Sequence, residues 1–255
     1  MDRAHPARVY DYLLGGKDNF AVDRAAAEEG LKANPNAATA PLQNRAFMRR
    51  AVRWLAADAG IRQFLDIGTG LPTSPNVHEV AQGVDPAARI VYVDNDPLVL
   101  THARALLTSA PAGHTAYVDS DLSDVDRVLA GARDNLDLSR PVALLLFAIL
   151  HFFEDDADPY GLVAKLLAAL PSGSYLVVSH VTADHEPQKW ARFVEVMRRQ
   201  GMPSHLRSRA EVTRFFDGLD LVDPGVVPIL QWRPTEPAEL TDAQVALYGG
   251  VGRKP

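Results

Sequence analysis

From Arg62 onward, short and nearly unbroken apolar runs alternate with longer amphipathic stretches. "QFLDIG", "RIVYVD", "TAYVD", "PVALLLFAIL" and "GSYLVVSHV" have the continuous hydrophobicity of parallel strands covered on both faces. Between them, "SPNVHEVAQ", "PLVLTHARALL", "DVDRVLAGAR" and "DPYGLVAKLLAAL" are each long enough for a crossover helix. This alternation predicts a doubly wound, mostly parallel α/β sheet. After a further helix around Gln188–Arg199, "LDLVDPGVVPILQW" sets Asp-Pro-Gly between two apolar runs, which predicts a terminal antiparallel hairpin.

Residues 1–60 have a helical pattern instead. Asp18 is placed to cap a helix through "NFAVDRAAAEEGLKA", and Pro41 suits the first turn of "PLQNRAFMRRAVRWLAADAG", closed by Gly60. No internal repeat or low-complexity linker separates 1–60 from 61–255, so the two are expected to form one compact unit, the helical segment packed on the sheet's site. Of the 255 residues, 47% are hydrophobic and 23% charged, the composition of a soluble globular protein. A formal charge of −6 argues against coating nucleic acid, while leaving room for a small basic patch. The absence of cysteine excludes disulfides, thiolate metal sites and cysteine nucleophiles. "MDRAHPARVY" has no apolar h-region and no run approaches a membrane span, so the cytoplasm is the expected location.

Ligands of an open α/β sheet sit beyond the carboxyl ends of its strands, where the strand order reverses. The first strand ends in "FLDIGTGLP": Gly68, Thr69 and Gly70 make a small-residue turn leading to a helix start at Ser74-Pro75. Asp66 at the strand end can accept from a ligand ammonium or from the loop backbone. Thr73 stands where a dinucleotide fingerprint has its third glycine, which disfavours a pyrophosphate. The second strand ends in "VYVDNDP", setting Asp94, with Asn95 beside it, where a carboxylate accepts from both ribose hydroxyls of an adenosine. Asp96 suits the cap of the helix begun by Pro97, and the plainer alternative has both aspartates merely capping it. After the third strand, Asp121 and the backbone of Leu122 face either an adenine edge or merely a loop cap. Together these describe a pocket for an adenosine carrying no phosphate.

"DIGTG", Asp94 and Asp121 resemble the successive motifs of class I S-adenosylmethionine-dependent methyltransferases. A closer resemblance covers nearly the whole chain: "ARVYDYLLGGKDNFAVDR", "NRAFMRRAVRWL", "FLDIGTGLPTSPNVHEVAQ", "IVYVDNDPLVL", "ALLLFAILHF", "LRSRAEV" and "YGGVGRKP" are similar to the bacterial S-adenosyl methyltransferase family long catalogued as a domain of unknown function. The resemblance implies a Rossmann-like methyltransferase fold over 61–255, a mostly parallel seven-stranded sheet with N-terminal helices, and S-adenosylmethionine as cofactor. It supplies no methyl acceptor; a small molecule is expected.

"LLGGKDN" is no phosphate loop, because Asp11 and Asp18 stand where Walker A needs glycine and Ser or Thr. It reads as a helix end at Gly15-Gly16, either a plain turn or one folded over the cofactor, with Gly16 and Lys17 at its methionine carboxylate. Asn44 and Arg45, on the helix before the first strand, are further candidates for that carboxylate; Arg49 and Arg53 extend a basic stripe. "FAILHFFED" ends the fourth strand and sets Ala148 beside the cofactor and Ile149 and His151 near the transferred methyl. With an ordinary pKa near neutrality, His151 is the candidate catalytic base, or else a partner of a backbone group. His180 is a second candidate. Tyr10, Tyr12 and Phe152 either line the acceptor side or serve helix packing. Glu154, Asp155, Asp156 and Asp158 lack the spacing for a metal site, and none is expected. The glycine-rich tail reads as mobile by composition, or else as folded over the site, since its three glycines permit close backbone contact. Two other functions stay open: a noncatalytic S-adenosylmethionine-binding module, and an NAD-linked oxidoreductase.

Overall fold

A computed structural model describes residues 3–106 and 109–255. Its helices are α1 (Pro6–Leu13), α2 (Ala21–Ala33), α3 (Ala40–Ala57), α4 (Val77–Gln82), α5 (Pro97–Leu106), α6 (Val125–Asn135), α7 (Pro159–Ala168), α8 (Pro187–Arg199), α9 (Arg209–Thr213) and α10 (Asp242–Val245). Its strands are β1 (Gln63–Ile67), β2 (Arg89–Asp94), β3 (His114–Asp119), β4 (Ala143–Phe147), β5 (Tyr175–Val181), β6 (Asp220–Leu221), β7 (Val227–Pro228) and β8 (Leu247–Arg253). All five strands expected from the apolar runs are present. The last residue of the expected "PLVLTHARALL" helix lies outside the described residues.

The sheet runs β3-β2-β1-β4-β5-β8-β6, with β7 also paired to β8. The first five strands are parallel, and β8 enters antiparallel beside β5. Strand order reverses between β1 and β4, which opens the crevice that holds the site. Alternate residues feed two cores. Leu65, Val91, Leu144 and Val178 meet α6 and α7 on one face, while Phe64, Ile90, Leu145 and Val177 meet α3 on the other. Burial on both faces is why these strands carry no polar alternation. On α3, Phe47, Met48, Ala51, Val52 and Leu55 form the buried stripe, and Gly60 follows at φ +70°.

Several expectations need correction. The two runs of "LDLVDPGVVPILQW" do not pair with each other: Leu221 pairs with Gly252 and Val227 with Gly249, both antiparallel to β8, so β6 and β7 run in the same direction as the five parallel strands. The partner of both is the glycine-rich tail, which is buried sheet and not a mobile end. Its glycines are dictated by crowding: a Cβ on Gly249 would lie 2.7 Å from Ile229 and 2.8 Å from Phe47. Asp18 does not cap α2; the cap residue is Phe20, whose N–H is accepted by Asp23 Oδ2 at 2.9 Å. Helix α4 starts at Val77, not at Ser74-Pro75, because Asn76 and Glu79 close its first turn reciprocally.

Candidate active site

Beyond the carboxyl ends of the strands lies a cavity of about 400 Å³, roofed by α1 and α8. Of the expected residues, Tyr10, Asn44, Arg45, Asp66, Gly68, Thr69, Gly70, Asp94, Asn95, Asp121, Leu122, Ala148, His151 and Phe152 line it. Gly16, Lys17 and Tyr12 do not.

The glycine loop wraps an anion of its own. Asp11 Oδ2 accepts from the Asp18 N–H at 3.0 Å and from Asn19 Nδ2 at 2.7 Å, and a Cβ on Gly16 would collide with its carboxylate. Lys17 is exposed, and Tyr12 turns outward to Glu28 at 3.1 Å. The placement of Gly16 and Lys17 at a cofactor carboxylate, and of Tyr12 at an acceptor, is therefore corrected.

At the end of β1, Gly68 takes φ +73° and leaves room for Ile149, whose Cδ1 would sit 2.7 Å from an added Cβ. The Gly68 N–H donates to Val93 O at 2.8 Å and the Gly70 N–H to Asp94 Oδ2 at 2.9 Å, so the turn is tied to β2. Asp94 also accepts from the Asp96 N–H at 2.9 Å. Burial raises its pKa while these two N–H groups pull it back. Asp66 is more exposed to desolvation: burial pushes it up to about 7, with Arg45 lowering it and Asp94 raising it. Its carboxylate has no hydrogen-bond partner among the described residues. Arg45 donates through Nη2 to the carbonyls of Thr73 and Pro75, leaving Nη1 and Nε uncommitted. Asp121 acts as a loop cap here, accepting from the Ser123 N–H at 2.8 Å and from Asn95 Nδ2 at 2.6 Å. Those bonds hold its pKa low against the cost of partial burial.

Across the switch point, a directed chain of hydrogen bonds fixes the end of β4. The Ala148 N–H donates to Ser179 Oγ (2.9 Å), Ser179 to Asn44 Oδ1 (2.6 Å), Asn44 Nδ2 to Tyr10 Oη (3.0 Å), and Tyr10 to Pro41 O (3.1 Å). The Ala148 N–H is shared with the backbone carbonyl of Ser179 at 3.1 Å. Ala148 is thereby held at φ +50°, a conformation costly for alanine, and burial pushes Tyr10 up to about 12. Asn44 and Tyr10 thus brace the site.

His151 lies on this side, 8% exposed. Burial, reinforced by the Arg207 guanidinium, pushes its pKa down to about 3. The expectation of a base poised near neutrality is corrected: an imidazole this reluctant to take a proton is a poor proton sink. His180 is locked between Val181 O (2.8 Å) and Arg207 Nη1 (3.1 Å) and does not line the cavity. Arg207 went unnoticed in the sequence. It is 1% exposed and clamps the loop after β4 through Leu150 O, Phe153 O and Asp155. Asp96 does more than the cap that its sequence position suggests. It does accept the Leu98 N–H, but its other oxygen takes Arg8 at 3.1 Å, anchoring α1 over the cavity. Arg8 is also paired with Asp23 at 3.0 Å. Of the α3 stripe, only Arg45 reaches the cavity; Arg49 and Arg53 are exposed. Asp155 is committed to Arg207 and Asp158 caps α7, and no group of three potential ligands is placed to hold a metal among the described residues.

This strand order, with an antiparallel strand beside β5 and a cavity at the reversal, defines a class I S-adenosylmethionine-dependent methyltransferase fold. The chain belongs to the S-adenosyl methyltransferase family, whose model matches residues 1–255; S-adenosylmethionine is the family's cofactor. Among solved structures, a DUF574 family protein from Streptomyces avermitilis is similar at 49% identity and TM-score 0.97, covering 100% of this chain and 98% of its own. A protein from Thermobifida fusca, provisionally named a methyltransferase, is similar at 41% identity and TM-score 0.91, covering 99% and 95%. The N-methyltransferase NodS from Bradyrhizobium japonicum, in complex with S-adenosylhomocysteine, shares the fold at 14% identity and TM-score 0.50, covering 97% and 99%. Comparison with curated proteins returns no match. Among the described residues no helix is long and apolar enough to cross a membrane.

Proposed function

We propose that this protein methylates a small molecule held in the cavity beside its cofactor, with residues 1–60 and 61–255 working as one unit. The observation that carries the reading is Asp66, a cavity-lining carboxylate 6% exposed and without a donor. A buried acceptor left in that state suits a ligand ammonium, and the uncommitted nitrogens of Arg45 suit the carboxylate of the same amino acid. Asp94 has lone pairs left for the ribose hydroxyls. Asp121, Asn95 and Leu122 border the adenine end, and the backbone of Thr69, Gly70 and Ala148 the centre.

When bound, S-adenosylmethionine supplies a methyl group on a sulfonium, and the chain's own part is alignment. The Ser179–Asn44–Tyr10 relay holds Ala148 and the β4 loop against the reacting centre. Burial holds His151 well below its ordinary pKa, so among the described residues no strong base faces the acceptor, which enters with its nucleophilic lone pair free and sheds any proton to water. The same lack of a base is the observation that favours a noncatalytic binding module; the apolar space beside the cofactor site speaks for catalysis. Calorimetry with S-adenosylhomocysteine is expected to show saturable heat, and a small-molecule panel with radiolabelled cofactor is expected to show transfer. No heat from folded protein would overturn the reading, and heat without transfer would leave the binding module.

A further inference from the structure

The cavity lining changes character at the switch point. Asp66 and Asp94 stand at the carboxyl ends of β1 and β2 and Asp121 follows β3, all on one side of it. Beyond β4 and β5 the wall is built from Ile149, Val181, Trp190, Phe193 and Met197, with no carboxylate, lysine or arginine among the described lining residues. An ionic group entering this half would be desolvated without a counter-charge, a heavy cost.

Polar contacts there are few. Tyr10 is committed to Asn44 and Pro41, which leaves His151 and Ser204 unpartnered among the described residues. The Nδ1 atom of His151 is sealed inside the protein with nothing to bond. Its ring is fixed against Phe152, centroids 4.1 Å apart, and its carbonyl is taken by the His205 N–H at 2.7 Å. Burying a lone pair on Nδ1 costs less than burying an orphaned N–H, and the nearby Arg207 charge favours the lone pair further. A neutral ring with its proton on Nε2, as a donor, meets both conditions.

We infer that this half of the cavity takes an uncharged, largely apolar ring compound that presents a carbonyl-type oxygen to the Nε2–H of His151. His151 is then a positioning residue that selects and orients the acceptor without deprotonating it. The inference rests on the methyl-transfer reading above and narrows its substrate class.

The test uses the full chain saturated with S-adenosylhomocysteine and four probes on one skeleton: tetralin, α-tetralone, a tetralin carboxylate and the ammonium form of aminotetralin. By calorimetry, α-tetralone should bind on the order of tenfold tighter than tetralin, the yield of one neutral hydrogen bond. Both ions should bind more weakly than tetralin, by about a hundredfold or more. His151→Phe should erase the preference for the ketone while leaving tetralin and S-adenosylhomocysteine binding in place. Independently of any variant, ¹⁵N NMR of the histidines should show His151 as the Nε2–H tautomer, unprotonated as pH falls through 6.5. An ion bound as tightly as tetralin, equal binding of ketone and hydrocarbon, or an Nδ1–H ring would overturn the inference while the cofactor reading stands. Failure of S-adenosylhomocysteine itself to bind would remove both.

Discussion

At the scale of single residues, the decisive groups are buried polar side chains whose partners are missing or distant in sequence. Asp66 titrates near 7 because burial outweighs the attraction of Arg45. Its folded pKa lies above the unfolded value, so its contribution to stability is full below the ordinary carboxylate range and is lost as pH rises through about 7. A ligand ammonium reverses that preference by favouring the ionised form. Affinity for S-adenosylhomocysteine should therefore weaken as pH falls below about 7, by up to about tenfold per pH unit, with proton release on binding. Calorimetry in buffers of different ionisation enthalpy checks this, and Asp66→Asn should abolish the release. A pH-independent affinity in the unaltered protein would refute the assignment. Asp66, Asp94 and the Gly68–Gly70 turn were legible because the strand end and its turn are local. Arg207 was not, since its partners Leu150, Phe153 and Asp155 lie more than fifty positions back in the chain. His151 lines the cavity, but its protonation is set first by burial and then by Arg207, and the local sequence carries no sign of either.

At the scale of elements, Arg8 supplies the charged tie of α1, beside the contacts of His5 and Tyr10. Arg8 bridges Asp23 of α2 and Asp96 at the start of α5, both carboxylates being almost wholly buried. Arg8→Ala leaves two buried carboxylates short of a counter-charge, a loss of about 3 kcal/mol by analogy with broken buried pairs. Its effect should concentrate on the roof. Hydrogen exchange of the α1 amides should accelerate by more than tenfold while β1, β4 and β5 keep their protection. Unchanged exchange at α1 would show that the roof is held otherwise. The helices were legible from their apolar stripes and capping residues; the latch was not, because Asp96 performs a local cap and a distant pairing with different oxygens. The turn "LLGGKDN" misled for a related reason: an internal carboxylate, Asp11, occupies the place where a ligand anion was expected.

At the scale of the molecule, β8 is the reversed strand, running against β5 on one side and against the short β6 and β7 on the other. Glycine-rich sequence usually signals a mobile tail, and here it signals contact too close for side chains. Gly249→Ala should overpack the space between Ile229 and Phe47 and cost about 1–3 kcal/mol, lowering Tm by roughly 2–10 °C in a thermal melt. A variant as stable as the parent would mean that Ile229 and Phe47 yield freely. Fold class was plain from strand and helix alternation. The position of β8 was not, because pairing partners of an antiparallel strand are set by tertiary space and its glycines give no alternating signal.

The position of β8 also bears on how the protein is made. Every other strand precedes it in chain order, yet it sits between β5 and β6. During synthesis, β5 must therefore wait with a bare row of backbone donors and acceptors until residues 247–253 have left the ribosome. For that interval the half-made sheet is open to pairing with any neighbouring nascent chain.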